Sequence, residues 1–161
     1  GRSTPPPVLI GDVSALDALA VDVPDLARVL TEKFWPGPLT LVLHAQPSLT
    51  WDLGETKGTV GLRIPDSTEA IALLKETGPM AVSSANLHGK PSAINAQQAF
   101  EYFGESVPVY LDAGEASVGV ASTILDLTNV ESKKIRVLRQ GALALADLEQ
   151  HAEGFEFESV S

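Results

Sequence analysis

Arginines on strand ends and small hydroxyls in turns are the groups of this 161-residue chain best suited to chemistry. In Thr59-Val60-Gly61-Leu62-Arg63-Ile64-Pro65, strand alternation puts Thr59, Gly61 and Arg63 on one face and Val60, Leu62 and Ile64 on the other. The second face is apolar and suits a core. The first offers a hydroxyl, a gap and a guanidinium, a group that grips a carboxylate or phosphate through two parallel hydrogen bonds. An edge strand with a surface arginine would read the same way. Ser83-Ser84-Ala85-Asn86 follows an apolar stretch. Small hydroxyls at a strand end leave room for a ligand and both donate and accept hydrogen bonds, and turn amides can hold an anion. An ordinary turn capped by Ser and Asn is the competing description. Ser122 and Thr123 open another apolar run, where their hydroxyls face either a ligand or neighbouring backbone. Arg139 closes a further run as a strand-end arginine. The chemistry in view is the holding of an anionic small molecule; no residue stands out as a general base.

Familiar phosphate and hydrolase signatures are missing. There is no GxxxxGK[ST], GxGxxG or GxSxG string, and Gly114 to Gly119 lacks the Lys and Ser/Thr of a phosphate cradle. His44, His88 and His151 are far apart and have no ligand spacing. With no cysteine, disulfides, thiolate metal sites and cysteine nucleophiles are excluded.

The elements that must position these groups follow from periodicity. Val8 to Ile10, Leu39 to His44, Thr59 to Ile64, Pro79 to Ser83 (a short buried strand), Val107 to Leu111, Ser122 to Leu127 and Ile135 to Leu138 read as strands. Asp12 or Ser14 caps a short helix through Leu19, and Pro24 suits the first turn of a second helix. Leu26, Val29, Leu30 and Phe34 form its inner face, and Trp35-Pro36-Gly37-Pro38 stops it, with Trp35 filling core space. Residues 46–58 form a loop holding Trp51. Asp66 with Glu69 opens a third helix, with Ala70, Ile71 and Leu74 inward and Gly78 as its stop. Asn95 with Gln98 opens a fourth, ending near Gly104. Leu143 to His151 is the last helix, and residues 153–161 read as an acidic, flexible tail. Strands and helices mix without strict alternation, so the fold class is α/β, a twisted mixed sheet with helices packed on it. A single domain over residues 1–152 is expected.

Apolar residues make up 44% and charged residues 20%, as in a soluble globular domain. No apolar run is long enough to span a membrane. A net charge of −10 repels nucleic acid unless cations gather locally. Only Lys133, Lys134, Arg136 and Arg139 cluster in sequence.

Four strings, FWPGPLTLVL, VGLRIPD, SSANLHGKPS and ASTILDLT, stand in one order along the chain, followed by Val137-Leu138-Arg139-Gln140-Gly141. In these the chain resembles the YrdC/Sua5 family of threonylcarbamoyl-AMP synthases, roughly from Arg2 to Gly141. The resemblance implies a YrdC-like domain with an open cavity for a nucleotide and an amino acid. It places Arg63, Ser84 and Ser122 at L-threonine, and Arg2, Thr59, Asn86 and Arg139 at ATP. It offers Lys90 as a further phosphate-neutralising residue. Three positions depart from the family pattern: Pro6-Pro7 where Asn-Pro is usual, Gly11 where His is common, and Ile94 in place of Thr or Ser. The family's opening PT-x-TVYGLG segment is not found in this sequence, so by itself the chain is expected to be inactive.

The implied reaction joins L-threonine, bicarbonate or CO2, and ATP into threonylcarbamoyl-AMP and pyrophosphate, with magnesium accompanying ATP. The product would pass to the machinery that modifies adenosine 37 of tRNA. Direct tRNA binding and membrane association are not expected, and the location would be cytoplasmic. Two alternatives stay open: an RNA-binding module of the same fold, and a relative with another small-molecule substrate.

Overall fold

The computed structural model of the chain describes residues 5–116 and 120–159. Its strands are β1 (Val8–Leu9), β2 (Ala20–Val21), β3 (Leu39–Ala45), β4 (Thr59–Arg63), β5 (Met80–Ala81), β6 (Thr123–Asp126), β7 (Lys134–Arg139) and β8 (Glu156–Ser159). Its helices are α1 (Ala15–Leu19), α2 (Asp25–Phe34), α3 (Thr68–Thr77), α4 (Ala96–Phe103) and α5 (Leu145–Glu149). The chain divides into two compact units, residues 1–82 with 121–161, and residues 83–120.

All the strands lie in the first unit and form one sheet in the order β5-β1-β4-β3-β6-β7-β8, with β2 pairing β3. The sheet is mixed. β1/β4, β3/β6 and β7/β8 run parallel; β1/β5, β2/β3, β3/β4 and β6/β7 run antiparallel.

Alternation decides what each face does. Val8, Leu39, Leu41, Leu43, Val60, Leu62, Leu125, Ile135 and Val137 are buried and join Leu16, Leu19, Leu26, Ala27, Leu30, Leu148 and Ala152 from α1, α2 and the α5 region in one core. Full burial of a leucine or valine side chain contributes about 1.5–3 kcal/mol, so this face holds the sheet and helices together. Its opposite face carries the polar members of the same strands: Thr59, Gly61 and Arg63 on β4, Thr40 on β3, and Ser122 just before β6.

Several local expectations are corrected. Val29 is exposed, and Ala27 and Thr31 take the inner face of α2 beside Leu26 and Leu30. Trp35 is half-buried at the margin of the core rather than inside it. The cap of α3 is Ser67, whose Oγ accepts from the Ala70 amide at 3.2 Å, one residue beyond Asp66. β5 is an exposed edge strand. Residues 107–111 form no strand, and the acidic end contributes β8, paired parallel with β7. Asn95 caps α4 as expected, accepting from the Gln98 amide at 2.9 Å, while Gln98 Oε1 accepts from the Ile94 amide.

Candidate functional site

The Trp35–Pro38 turn sets the position of Arg63. Trp35 Nε1 donates to Leu39 O at 2.8 Å, closing the turn onto the start of β3. The Gly37 amide donates to Ile64 O at 2.9 Å, tying the turn to the end of β4. A Cβ on Gly37 would stand 2.3 Å from Phe34 O, so only glycine fits. With the turn fixed, Gly37 O accepts from Arg63 Nε at 2.8 Å. The two Nη groups of Arg63 meet no partner among the described residues.

A β-bulge sets the position of Arg139. Ile124 pairs with Arg139 and Leu125 with Val137, so Leu138 is the extra residue. By strict alternation Arg139 would share the core face with Ile135 and Val137. The inserted residue turns it out instead, a recognised use of bulges. Arg139 then donates twice to Ser122, from Nε to the carbonyl at 2.9 Å and from Nη2 to Oγ at 3.0 Å. Behind it the chain folds tightly on the same backbone. The Gly141 amide donates to Thr123 Oγ1 at 3.0 Å, Thr123 Oγ1 donates to Leu143 O at 2.7 Å, and the Ala142 amide donates to Ala121 O.

Arg63, Ser122 and Arg139 therefore gather on one sheet face, with Thr40 among them. Leu41 pairs with Leu62, so Thr40 and Arg63 come next along the ladder on the open face. Thr40 Oγ1 lies 2.8 Å from Ser122 Oγ. Burial holds the Arg63 guanidinium below the ordinary arginine value; the nearby charge of Arg139 pushes the same way, and Asp66 opposes both. Burial lowers Arg139 as well. Two partly desolvated like charges near enough to influence one another, with N–H groups unpartnered among the described residues, favour an anion beside them.

The remaining predicted residues are placed as follows. Thr59 lies on the same β4 face as Arg63, but its hydroxyl donates to Thr56 O at 2.7 Å. Ser84 and Asn86 belong to the second unit. There Asn86 Nδ2 donates to Leu87 O at 2.9 Å and Lys90 O at 3.0 Å, and Asn86 Oδ1 accepts from Ser84 Oγ at 2.5 Å. Asn86 thus organises its own loop. Lys90 is exposed. Arg2 lies outside the described residues. Of the departures, Pro7 O accepts from the Val82 amide at 2.9 Å, so the proline segment is tied down beside β5. A Cβ on Gly11 would meet Leu74 Cβ and Lys75 N at 3.1 Å, so a side chain there requires α3 to give by a few tenths of an ångström. Ile94 O accepts from the Ala116 amide at 2.7 Å. Thr40 and Gly37 were missed by sequence reasoning, which took their string only as a rigid turn entering a strand.

Other features carry less. A cavity of about 320 Å³ is lined by Val13, Leu16, Thr31, Trp35 and Ile64 with Arg28 and Glu32, and Arg28 is engaged by Asp17. The basic cluster is largely neutralised: Lys134 pairs with Glu158, Arg136 with Asp126 at 3.2 Å, and Lys133 lies over the Phe155 ring. Among the described residues no three His, Asp or Glu side chains converge as a metal cage.

The Sua5/YciO/YrdC family model, described as telomere recombination, matches residues 1–141. The chain belongs to that family. A protein of Mycobacterium tuberculosis (strain ATCC 25618 / H37Rv) is 49% identical over 144 residues, covering 89% of this chain and 65% of that protein. The threonylcarbamoyl-AMP synthase of Pyrococcus abyssi (strain GE5 / Orsay) is 36% identical over 153 residues, 93% of this chain and 44% of that enzyme. A crystal structure of P. abyssi Sua5 complexed with L-threonine superposes with a TM-score of 0.88 at 33% identity, over 96% of this chain and 45% of the other. The chain spans less than two thirds of these relatives.

Proposed function

We propose that this chain supplies the threonine- and nucleotide-holding face of a threonylcarbamoyl-AMP synthase. The observation that carries the reading is the gathering of Arg63 and Arg139 about Ser122, with guanidinium N–H groups unpartnered among the described residues. Relatives bearing that name, and the threonine held by P. abyssi Sua5, support it.

In the proposed reaction the threonine amine adds to CO2, loses a proton and becomes a carbamate. A carbamate oxygen attacks the α-phosphorus of ATP, the bond from phosphorus to the bridging oxygen breaks, and pyrophosphate leaves. The residues of this chain hold and orient. Arg63 takes the threonine carboxylate, Ser122 contacts the amino acid, Arg139 faces phosphate oxygens, and Thr59 lines the nucleotide end. Such chemistry is accelerated chiefly by positioning and by neutralising charge. The product would go to tRNA modification in the cytoplasm. No described helix is long and apolar enough to cross a membrane.

Titration calorimetry with L-threonine tests the reading. Threonine binding abolished by Arg63→Ala is the expected result. A folded chain that binds RNA with strong salt dependence and shows no affinity for threonine would overturn it in favour of the RNA-binding alternative.

A further inference from the structure

Thr40 and Ser122 form a buried hydroxyl pair, and its surroundings fix which oxygen donates. Thr40 is 1% and Ser122 5% exposed, with their Oγ atoms 2.8 Å apart. Each hydroxyl has one proton and two acceptor lone pairs. Thr40 Oγ1 has no second polar partner among the described residues. Were Ser122 to donate to Thr40, the Thr40 proton would be buried without an acceptor, which is costly. When Thr40 donates to Ser122, the proton left over is that of Ser122, the less buried of the two at 5% against 1%, where a bound acceptor can take it. Arg139 Nη2, which can only donate, reaches the same Ser122 Oγ at 3.0 Å. Ser122 Oγ then receives two protons, its lone pairs are filled, and its own O–H is the one valence left.

We propose that Thr40 is a positioning residue that makes Ser122 a hydrogen-bond donor only, so that this corner of the site selects an anionic oxygen over an ammonium group. Identifying that oxygen as the threonine carboxylate rests on the function proposed above; the polarity of the pair does not. The arrangement also explains why a threonine suits a strand position whose neighbours Leu39 and Leu41 are fully buried. Valine would keep the shape and lose the donor.

Neutron diffraction of deuterium-exchanged crystals tests the polarity without any ligand. A deuteron on Thr40 Oγ1 directed at Ser122 is expected; a deuteron on Ser122 directed at Thr40 overturns the proposal. Titration calorimetry tests the consequence, using L-threonine and L-threoninol, in which an alcohol replaces the carboxylate. Thr40→Val is expected to weaken threonine binding about tenfold while leaving threoninol little changed, whereas Thr40→Ser stays within about twofold of the parent. In a Ser122→Ala background, Thr40→Val should have no further effect. Losses that add, or equal losses for both ligands, would assign Thr40 a merely structural role. Should the parent chain bind no threonine at all, the function above fails, and the neutron result still decides the polarity.

Discussion

Gly141 is packed against Ser122 so closely that a Cβ carried on it would stand 2.5 Å from the Ser122 carbonyl carbon and oxygen, and 2.1 Å from Ala121 O. The glycine that ends the Leu138–Gly141 stretch is thus a spatial requirement of the site. Gly141→Ala is expected to push the Ser122 backbone outward and to destabilise the fold by about 1–3 kcal/mol, the usual range for overpacking. Urea unfolding measures the first effect. Threonine affinity, falling by more than a stability loss alone would produce, measures the second.

Among the described residues Arg63 makes one hydrogen bond, through Nε, and neither Nη group meets a partner. Lysine keeps the charge and loses this division of labour. Arg63→Lys should fold normally and lose at least about tenfold in threonine affinity, in line with the loss of a charge-assisted hydrogen bond worth about 1.5–3 kcal/mol. Affinity equal to the parent would show that charge alone suffices.

Asn86 spans its loop from Ser84 to Lys90. Asn86→Ala is expected to speed amide exchange at Lys90 and Ala93, whose amides bond to Leu87 O and Ala85 O within that loop. The β3 and β4 amides of the first unit should keep their protection. Uniform acceleration across both units would mean that the substitution acts on global stability instead.

Asp17 accepts from Arg28 Nη2 at 2.6 Å and Nη1 at 3.2 Å, which holds its carboxyl below the ordinary aspartate range. With the folded-state value depressed, the pair contributes to stability above the unfolded-state value, and that contribution is lost as pH falls through the folded-state value. An NMR titration should show the Asp17 midpoint below that of a free aspartate. Arg28→Ala should return it upward, and an unmoved midpoint would remove the ion pair as the cause.

The strands that form the site were legible because their alternation is local: Val60 and Leu62 announce the buried face of β4, and Thr59 and Arg63 the other. Caps were legible to within a residue. Asp66 and Ser67 are both good capping residues, and only the backbone geometry decides between them. What sequence could not supply is pairing. Residues 107–111 have strand-like composition but no ladder in the structure, while Glu156–Ser159 look like a frayed end and gain a ladder from β7. The bulge at Leu138 and the Thr40–Ser122 contact are likewise invisible locally, because each depends on which strand lies alongside.

The place of β3 between β4 and β6 has a consequence for how the molecule is made. As the chain leaves the ribosome, β3 can pair with β2 and β4 early, yet the stretch of its other edge from Leu39 to Val42 stays bare until a segment about eighty residues further on has emerged. Distant pairings of this kind form slowly, and bare strand edges invite association between nascent chains. The binding corner around Ser122 is therefore assembled only once β6 and β7 have emerged, well after β3 and β4.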